Sequence, residues 1–388
     1  MSADLMQANA IVRTGRLLNR FSYDGSDWAV SVFDFEGLTA ASKYELQIRD
    51  ESLDLIGKRV LRTFPKKEDV RSLRAVVASC MDDGFKSEAK DMWATVSWLR
   101  PDWIFLIGDT VYSDKFVGFY EGPADPKTMF ERYVETRNEL TIYRQIELIP
   151  VLASWDDHDY GKNDGDRTFR FKVEAKKIFD AFFPKLKIEN WYDVGPGVSS
   201  RLNFAGQDIF LLDDRSFRSP NRWPGTPKDP QTHFGKEQEK WLFDSIAKDK
   251  KPSWIISGDQ FFGGYSPYES YQGSHSDSFL QFVKKFKKVK IPFWLISGDR
   301  HMMELMQIEE EQFGFKTLEL STSGIHAKVF PSYWDKYPNE RQLVGIAEKN
   351  NFALVESTVL DQNALSLKLT GYTLEKKILF ERFFTVRR

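Results

Sequence analysis

The chain has 388 residues, 41% hydrophobic and 29% charged, enough for a catalytic domain with its own core plus a smaller module. A net charge of −2 and a pI near 6.3 exclude a global basic field that would draw it to nucleic acid or an anionic membrane. No apolar stretch is long enough to cross a bilayer, and a single cysteine, Cys80, excludes an intrachain disulfide framework.

The opening "MSADLMQANA" lacks the basic and apolar regions of a signal peptide, so the chain as it stands is expected to be cytoplasmic, or exported if a signal has been trimmed. Up to about residue 65, the runs "WAVSVFDF", "YELQIRD" and "KRVLRTF" are short, β-branched or aromatic, and separated by Gly, Asp and Ser, which predicts a small β-sandwich. The charged stretch "PKKEDVRS" (residues 65–72) marks a boundary, dividing an N-terminal β domain over residues 1–68 from a catalytic domain over residues 69–388. Beyond it, "RAVVAS", "DWIFLIG", "IPVLASW", "DIFLL", "SWIIS" and "PFWLIS" are strand-length apolar runs alternating with helical segments, which predicts layered α/β architecture around a largely buried sheet. "GKEQEKWLFDSIAK" places Trp241, Leu242, Ser245 and Ile246 on one helical face, as a covering helix requires. "KKFKKVK" (residues 284–290) reads as the solvated face of another helix.

The residues at the ends of these runs carry the chemistry: Cys80, Asp109, Asp156 with Asp157, Asp213 with Asp214, Asp259, and Asp299. In open α/β sheets, ligand sites form outside the carboxyl ends of the strands, so residues distant in sequence can converge there. Any one such aspartate is ordinary as a helix N-cap or turn former. Together they would repel one another at one sheet edge unless a cation neutralised them. The densest stretch, "ASWDDHDYGKND" (residues 153–164), adds His158, Asp159 and Asn163 to that edge. Carboxylates suit Ca²⁺, Mg²⁺, Mn²⁺ or ferric iron, whereas a thiolate, imidazole or tyrosinate suits a transition metal, so the set predicts a mixed centre of two or more ions. Two bridged cations can orient a phosphoryl group, generate hydroxide near neutral pH and stabilise an in-line displacement, which is hydrolytic phosphoryl chemistry.

In this order, "VVASC", "PDWIFLIGDTVYSD", "SWDDHDYGKND", "LLDDRSFR", "FGKEQEKWL" and "FWLISGDRH" resemble the alkaline phosphatase D family of the calcineurin-like metallophosphoesterases. The resemblance runs from about residue 74 to residue 324 and implies a layered β-sandwich core with helices outside, preceded by a small fibronectin-like domain. It implies that Asp109 bridges two metals, that Asp157 is a ligand with His158 as general acid, and that Asp299 and His301 are further ligands. Cys80 takes the place of an early histidine or aspartate ligand. Tyr112 sits where purple acid phosphatases have an iron-binding tyrosine in "GDxxY"; Tyr133 or Tyr143 is the alternative from a later segment. Asp159 and Asn163 could complete a Ca²⁺ shell or cap a turn. Asp259 occupies the region of a fourth motif in which histidine is usual, which favours oxygen-rich coordination. The implied cofactors are Fe(III) with Ca(II), or another divalent metal such as Mg, Mn or Zn. Arg300 and Arg215 are candidate phosphate clamps, although a salt bridge is the favoured reading of Arg215.

The expected activity is hydrolysis of phosphate monoesters, diesters or both, with metal-activated hydroxide attacking phosphorus directly. A phosphate-ester small molecule is the expected partner, without stable nucleic-acid binding; the oligomeric state is unreadable. The rival is a catalytically silent metal-binding protein of the same fold acting as a binding module. Cys80, His158 and His301 together argue against it, because a structural Ca²⁺ site needs neither thiolate nor imidazole. A serine hydrolase lacks support, since no "GxSxG" occurs. His233, His275 and His326 show no ligand-like spacing. Residues 117–127 and 263–278, rich in Gly, Pro, Tyr and Ser, are the expected rim loops.

Overall fold

In this computed structural model, residues 1–115 and 123–388 are described. The core is a pair of stacked sheets. One is six-stranded, in the order Ile378–Arg387, Ala364–Tyr372, Phe352–Asp361, Ser72–Ala78, Trp103–Ile107, Val151–Ser154. The other is eight-stranded, in the order Tyr192–Val194, Ser200–Phe204, Gln207–Leu211, Ser253–Ile256, Phe293–Ser297, Thr317–Thr322, Met303–Ile308, Gln342–Ile346. The apolar runs expected to be strands are therefore the central strands of these sheets. They pair in parallel, Ser72–Ala78 with Trp103–Ile107 and then Val151–Ser154, and Gln207–Leu211 through Ser253–Ile256 and Phe293–Ser297 to Thr317–Thr322.

Side-chain alternation explains the continuous apolarity of these runs. Ala75, Val77, Phe105 and Ile107 pack into the cluster between the sheets with Ile209, Leu211, Ile256 and Ile296. The intervening Val76, Ala78, Ile104 and Leu106 point the other way, into a second cluster closed by Trp93, Met129, Phe130 and Phe179 from helices Met92–Leu99, Pro126–Glu139 and Lys172–Phe182. A strand buried on both faces cannot alternate in polarity. The outer face of the larger sheet is covered by helix Lys236–Asp249 through Leu242 and Ile246, and by helix Ser276–Phe286 through Phe279, Phe282 and Phe286. Lys284 and Lys288 are exposed on the opposite side of that segment, the solvated face expected of the lysine run.

The first 62 residues form a four-stranded sheet (Ala10–Thr14, Ser2–Gln7, Lys43–Arg49, Leu55–Arg62) and a two-stranded ribbon (Arg16–Ser22, Ala29–Asp34). This all-β region rests on the core through aromatic contacts. Phe64 stacks on Trp103 at 5.0 Å, and Phe21 meets Phe130 edge-on at 5.7 Å.

Candidate metal centre

Parallel pairing brings the carboxyl ends of the central strands to one edge. Cys80 lies two residues beyond Ser72–Ala78, Asp109 two beyond Trp103–Ile107, Asp157 three beyond Val151–Ser154, and Asp299 two beyond Phe293–Ser297. Glycine makes this crowding possible. A Cβ at Gly108 (φ +106°) would lie 2.6 Å from the Cβ of Asp156, and one at Gly298 would lie 2.8 Å from Ser79 Oγ. The repeated "GD" is thus a steric device that lets neighbouring strand ends approach. The backbone is strained at the same edge: Cys80, Asp109, Asp299 and His301 have φ of +56°, +51°, +62° and +52°. Left-handed non-glycine residues are uncommon, and their coincidence with the candidate ligands is the pattern of a functional site.

Among the described residues, three groups of potential ligands have atoms within 4.8 Å of one another inside each group: Cys80, Asp109 and His301; Asp109, Asp157 and His158; and Asp157, Asp164 and Glu269. Asp109 and Asp157 are each shared between two groups. The Cys80 thiol donates to Asp109 Oδ2 at 3.5 Å and lies 2.9 Å from Ser323 Oγ. Asp109 Oδ1 accepts from the amide of His158 at 3.3 Å. Tyr112 places its hydroxyl 3.2 Å from His301 Nε2, and His301 Nδ1 donates to the carbonyl of Lys328 at 2.7 Å.

Cations fit this arrangement. Burial, reinforced by Asp157, Asp156, Asp159 and Asp299, pushes the Asp109 carboxyl well above the usual carboxylate range. Asp299 is pushed up to about 7, chiefly by burial. Burial and the charge of Asp109 raise the Cys80 thiol well above its ordinary value, and burial does the same to Tyr112. Each anion is disfavoured by water exclusion and by its neighbours, which is the electrostatic situation a bound cation relieves. Asp157 differs: burial opposes its ionisation, but His158, Arg215 and the Asp164 amide together hold it below the usual range.

His158 is held from two sides. Its Nδ1 lies 2.7 Å from Asp114 Oδ1, and its ring stacks on Tyr112 at 4.1 Å. Asp114 is buried and its second oxygen has no hydrogen-bond partner among the described residues, so its carboxylate is directed at the imidazole. The pair fixes Nδ1 as donor and sets the orientation of the imidazole ring. Asp114→Asn should therefore lower kcat by roughly 10²-fold with little change in stability, since Asn keeps the shape and loses the charge. An unchanged pH–rate profile in that variant would count against the pairing.

Arg215 and Arg218 form a buried ionic layer behind the centre. Arg215 bonds Asp156 and forks onto Glu269 at 3.2 and 3.0 Å. Arg218 lies 2.6 Å from Glu269 and 3.5 Å from Asp259. Arg215 is wholly buried and does not line the cavity, so the structure places it as an ion-pair partner. Asp259 is also outside the cavity lining, with Arg218 and, at 3.9 Å, His233 Nε2 as its neighbours. Asp213 caps surrounding loops through Trp155 Nε1, the Val198 amide and the Arg215 amide. Asp159 accepts from Thr110 Oγ1 and from the amides of Val111 and Asp156, which orders the turn carrying Asp157. Among the tyrosines, Tyr133 donates to the carbonyl of Asp159 and Tyr143 packs on Arg137; only Tyr112 of the three touches the ligand cluster. His326 is bound by Trp93 Nε1 and the Asp82 carbonyl, and His233 and His275 lie 3.3 Å apart within the core.

In front of this layer lies a cavity of about 630 Å³ lined by Asp109, Asp157, His158, Asn163, Asp299, Arg300 and His301 among others. The rim segment 263–278 contributes Pro267, Tyr268, Glu269 and Ser274; of the other expected rim segment, residues 117–122 lie outside the described residues. Arg300 donates to the Glu269 carbonyl at 3.0 Å, to Ser266 Oγ at 2.9 Å and to the Tyr333 hydroxyl. Its Nε alone has no partner among the described residues, so a forked phosphate clamp would require release of a rim contact.

Sequence reasoning missed Asp114, Asp164 and Glu269. Asp114 comes after the "GD" turn in "GDTVYSD" and could have been noticed as a partner for His158. Glu269 gave no signal: it sits alone in a Gly/Pro/Tyr/Ser segment, and its role depends on two arginines about 50 positions away.

No helix among the described residues is long and apolar enough to cross a membrane. No curated protein matches this chain in sequence. Among solved structures it is similar to PhoD, with 16% identity, 92% of this chain and 78% of that chain covered, and a TM-score of 0.68. It is also similar to the purple acid phosphatase PPD1 from seeds of yellow lupin (Lupinus luteus), with 14% identity, 100% and 69% covered, and a TM-score of 0.64. These likenesses show the fold. The model of PhoD-like phosphatases matches residues 75–359, a segment that contains every strand-end acid of the cavity. The chain belongs to the PhoD-like phosphatase family and is, in general terms, a metal-dependent phosphoesterase.

Proposed function

We propose that this protein hydrolyses phosphate monoesters, diesters or both at a centre of two or more metal ions in the cavity of residues 69–388, the catalytic domain, with residues 1–68 as a separate β domain. The observation that carries this reading is the grouping of Cys80, Asp109 and His301 with Asp157 and His158 around one shared carboxylate, Asp109. Cys80, Tyr112 and His301 form a thiolate, phenolate and imidazole side that suits a transition metal such as Fe(III). Asp157, Asn163 and Asp299 form an oxygen side that suits Ca(II) or another divalent ion. Asp259 lies at the end of a neighbouring strand and pairs with Arg218 behind this side. Bound cations supply Lewis acidity, lowering the pKa of a coordinated water and neutralising phosphoryl charge.

The protein's own groups complete the chemistry. His158, oriented by Asp114, delivers a proton from Nε2 to the leaving oxygen. Arg300 reaches a phosphoryl oxygen by exchanging one of the rim contacts that hold its guanidinium at the cavity wall. Arg215 and Arg218 hold the Glu269 carboxyl below its usual range against burial, which fixes that carboxylate beside the centre.

The test is hydrolysis of a generic aryl phosphate ester by the metal-loaded protein. Turnover by the wild type that falls by roughly 10²–10⁴-fold in His158→Ala is the expected result. Metal binding without turnover on any phosphate ester would favour a silent binding protein instead.

A further inference from the structure

We propose that the mouth of the metal-lined cavity is a subsite for a flat aromatic leaving group, which makes aryl-type phosphate esters preferred over esters of non-planar alcohols. This deepens the phosphoesterase reading and rests on it. The cavity, at about 630 Å³, is much larger than a phosphoryl group needs, and its large apolar lining is aromatic: Tyr268, Phe330 and Tyr333. Tyr268 is 53% exposed and Phe330 43% exposed, although both border a concavity beside buried charge. Exposed aromatic surface at the mouth of a polar pocket is what a ligand covers.

The rings are also held in place. Phe330 lies nearly parallel to the imidazole of His301 at 5.7 Å and 18°. Tyr268 carries the Arg300 guanidinium 4.9 Å from its ring centre, stacks on Tyr333 at 6.1 Å and 27°, and meets Tyr337 edge-on at 5.6 Å. Two adjacent residues of the chain, Arg300 and His301, are thus each covered by one of the exposed rings. A substrate whose phosphoryl group occupies the metal side must direct its leaving group outwards past these rings. Pre-positioned flat faces reward a flat partner, because ring stacking gains contact at little conformational cost.

The test compares binding of phenylphosphonate and cyclohexylphosphonate, which match in size and differ in planarity, to the metal-loaded protein by titration calorimetry. Phenylphosphonate should bind more tightly by on the order of fivefold. The preference should vanish in Tyr268→Leu/Phe330→Leu, where bulk remains and the flat faces are lost. Equal affinities in the wild type, or a preference that survives the double substitution, would overturn the subsite. If both phosphonates bind equally while phosphate esters are still hydrolysed, the subsite alone fails. If neither binds and no ester is hydrolysed, the phosphoesterase reading falls with it.

Discussion

Asp109→Asn should abolish turnover while leaving the fold intact. Asp109 is the one side chain common to the thiolate side and the His158 side of the centre. Asparagine is among the residues that tolerate the left-handed backbone, so the φ of +51° at this position does not penalise the replacement. What is lost is the charge that two cations would share. Lewis-acid stabilisation amounts to several kcal/mol, so a fall in kcat of about a thousandfold or more is expected. Without metal, the variant should be no less stable than the wild type, because it removes one of several mutually repelling buried carboxylates. Elemental analysis should show metal content reduced in the variant. Full activity with full metal content would dismiss Asp109 as the bridging group.

Removing metal should destabilise the protein more as pH rises. In the metal-free fold, Asp109 and Asp299, which line the cavity, are both raised above their ordinary values, chiefly by burial. A carboxyl raised from 3.8 to about 7, as for Asp299, binds a proton in the folded state that the unfolded chain has released. Stability therefore falls as pH climbs through that window. Asp299 alone contributes on the order of a few kcal/mol to the fall. Asp157, held low, acts with the opposite sign, but below the window. Cations take the place of the protons, so the loaded protein loses less. Asp159 and Glu319, pushed up to about 6 and about 7 away from the ligand cluster, leave it a residual decline. Calorimetry with and without chelator should show a Tm gap that widens with pH. A gap that stays constant, or a chelated protein that gains stability with pH, would contradict cation occupancy of these acids.

Much of this site is legible because its residues come directly after strands whose apolarity is unbroken. Strand runs such as "DWIFLIG" and "PFWLIS" are buried on both faces, so they stand out from the sequence, and the residues after them are counted off without knowing the fold. The three long C-terminal strands escape that reading: Phe352–Asp361 and Ile378–Arg387 have exposed positions along their length, and the run of Ala364–Tyr372 is interrupted by the half-buried polar Ser366 and Lys368. His158 was readable from its place after two aspartates, but its support was not. Asp114 reaches it only because the turn after Asp109 folds back over the stretch that carries His158.

By itself the sequence determined the layered α/β class, the β-rich start and the candidate donors, since hydrophobic period and residue type are local properties. Tertiary structure alone decided which donors meet. Asp109 and Asp157 share ligand groups, whereas Asp213 and Asp259, equally placed at strand ends, turn to loop amides and to Arg218. It also decided that Arg215 serves buried carboxylates while Arg300 reaches the cavity, and that Tyr112 reaches the cluster while Tyr133 and Tyr143 do not. The reason is physical: a strand end fixes where a side chain starts, but the choice between cavity and interior depends on sheet twist and on partners contributed from tens of residues away.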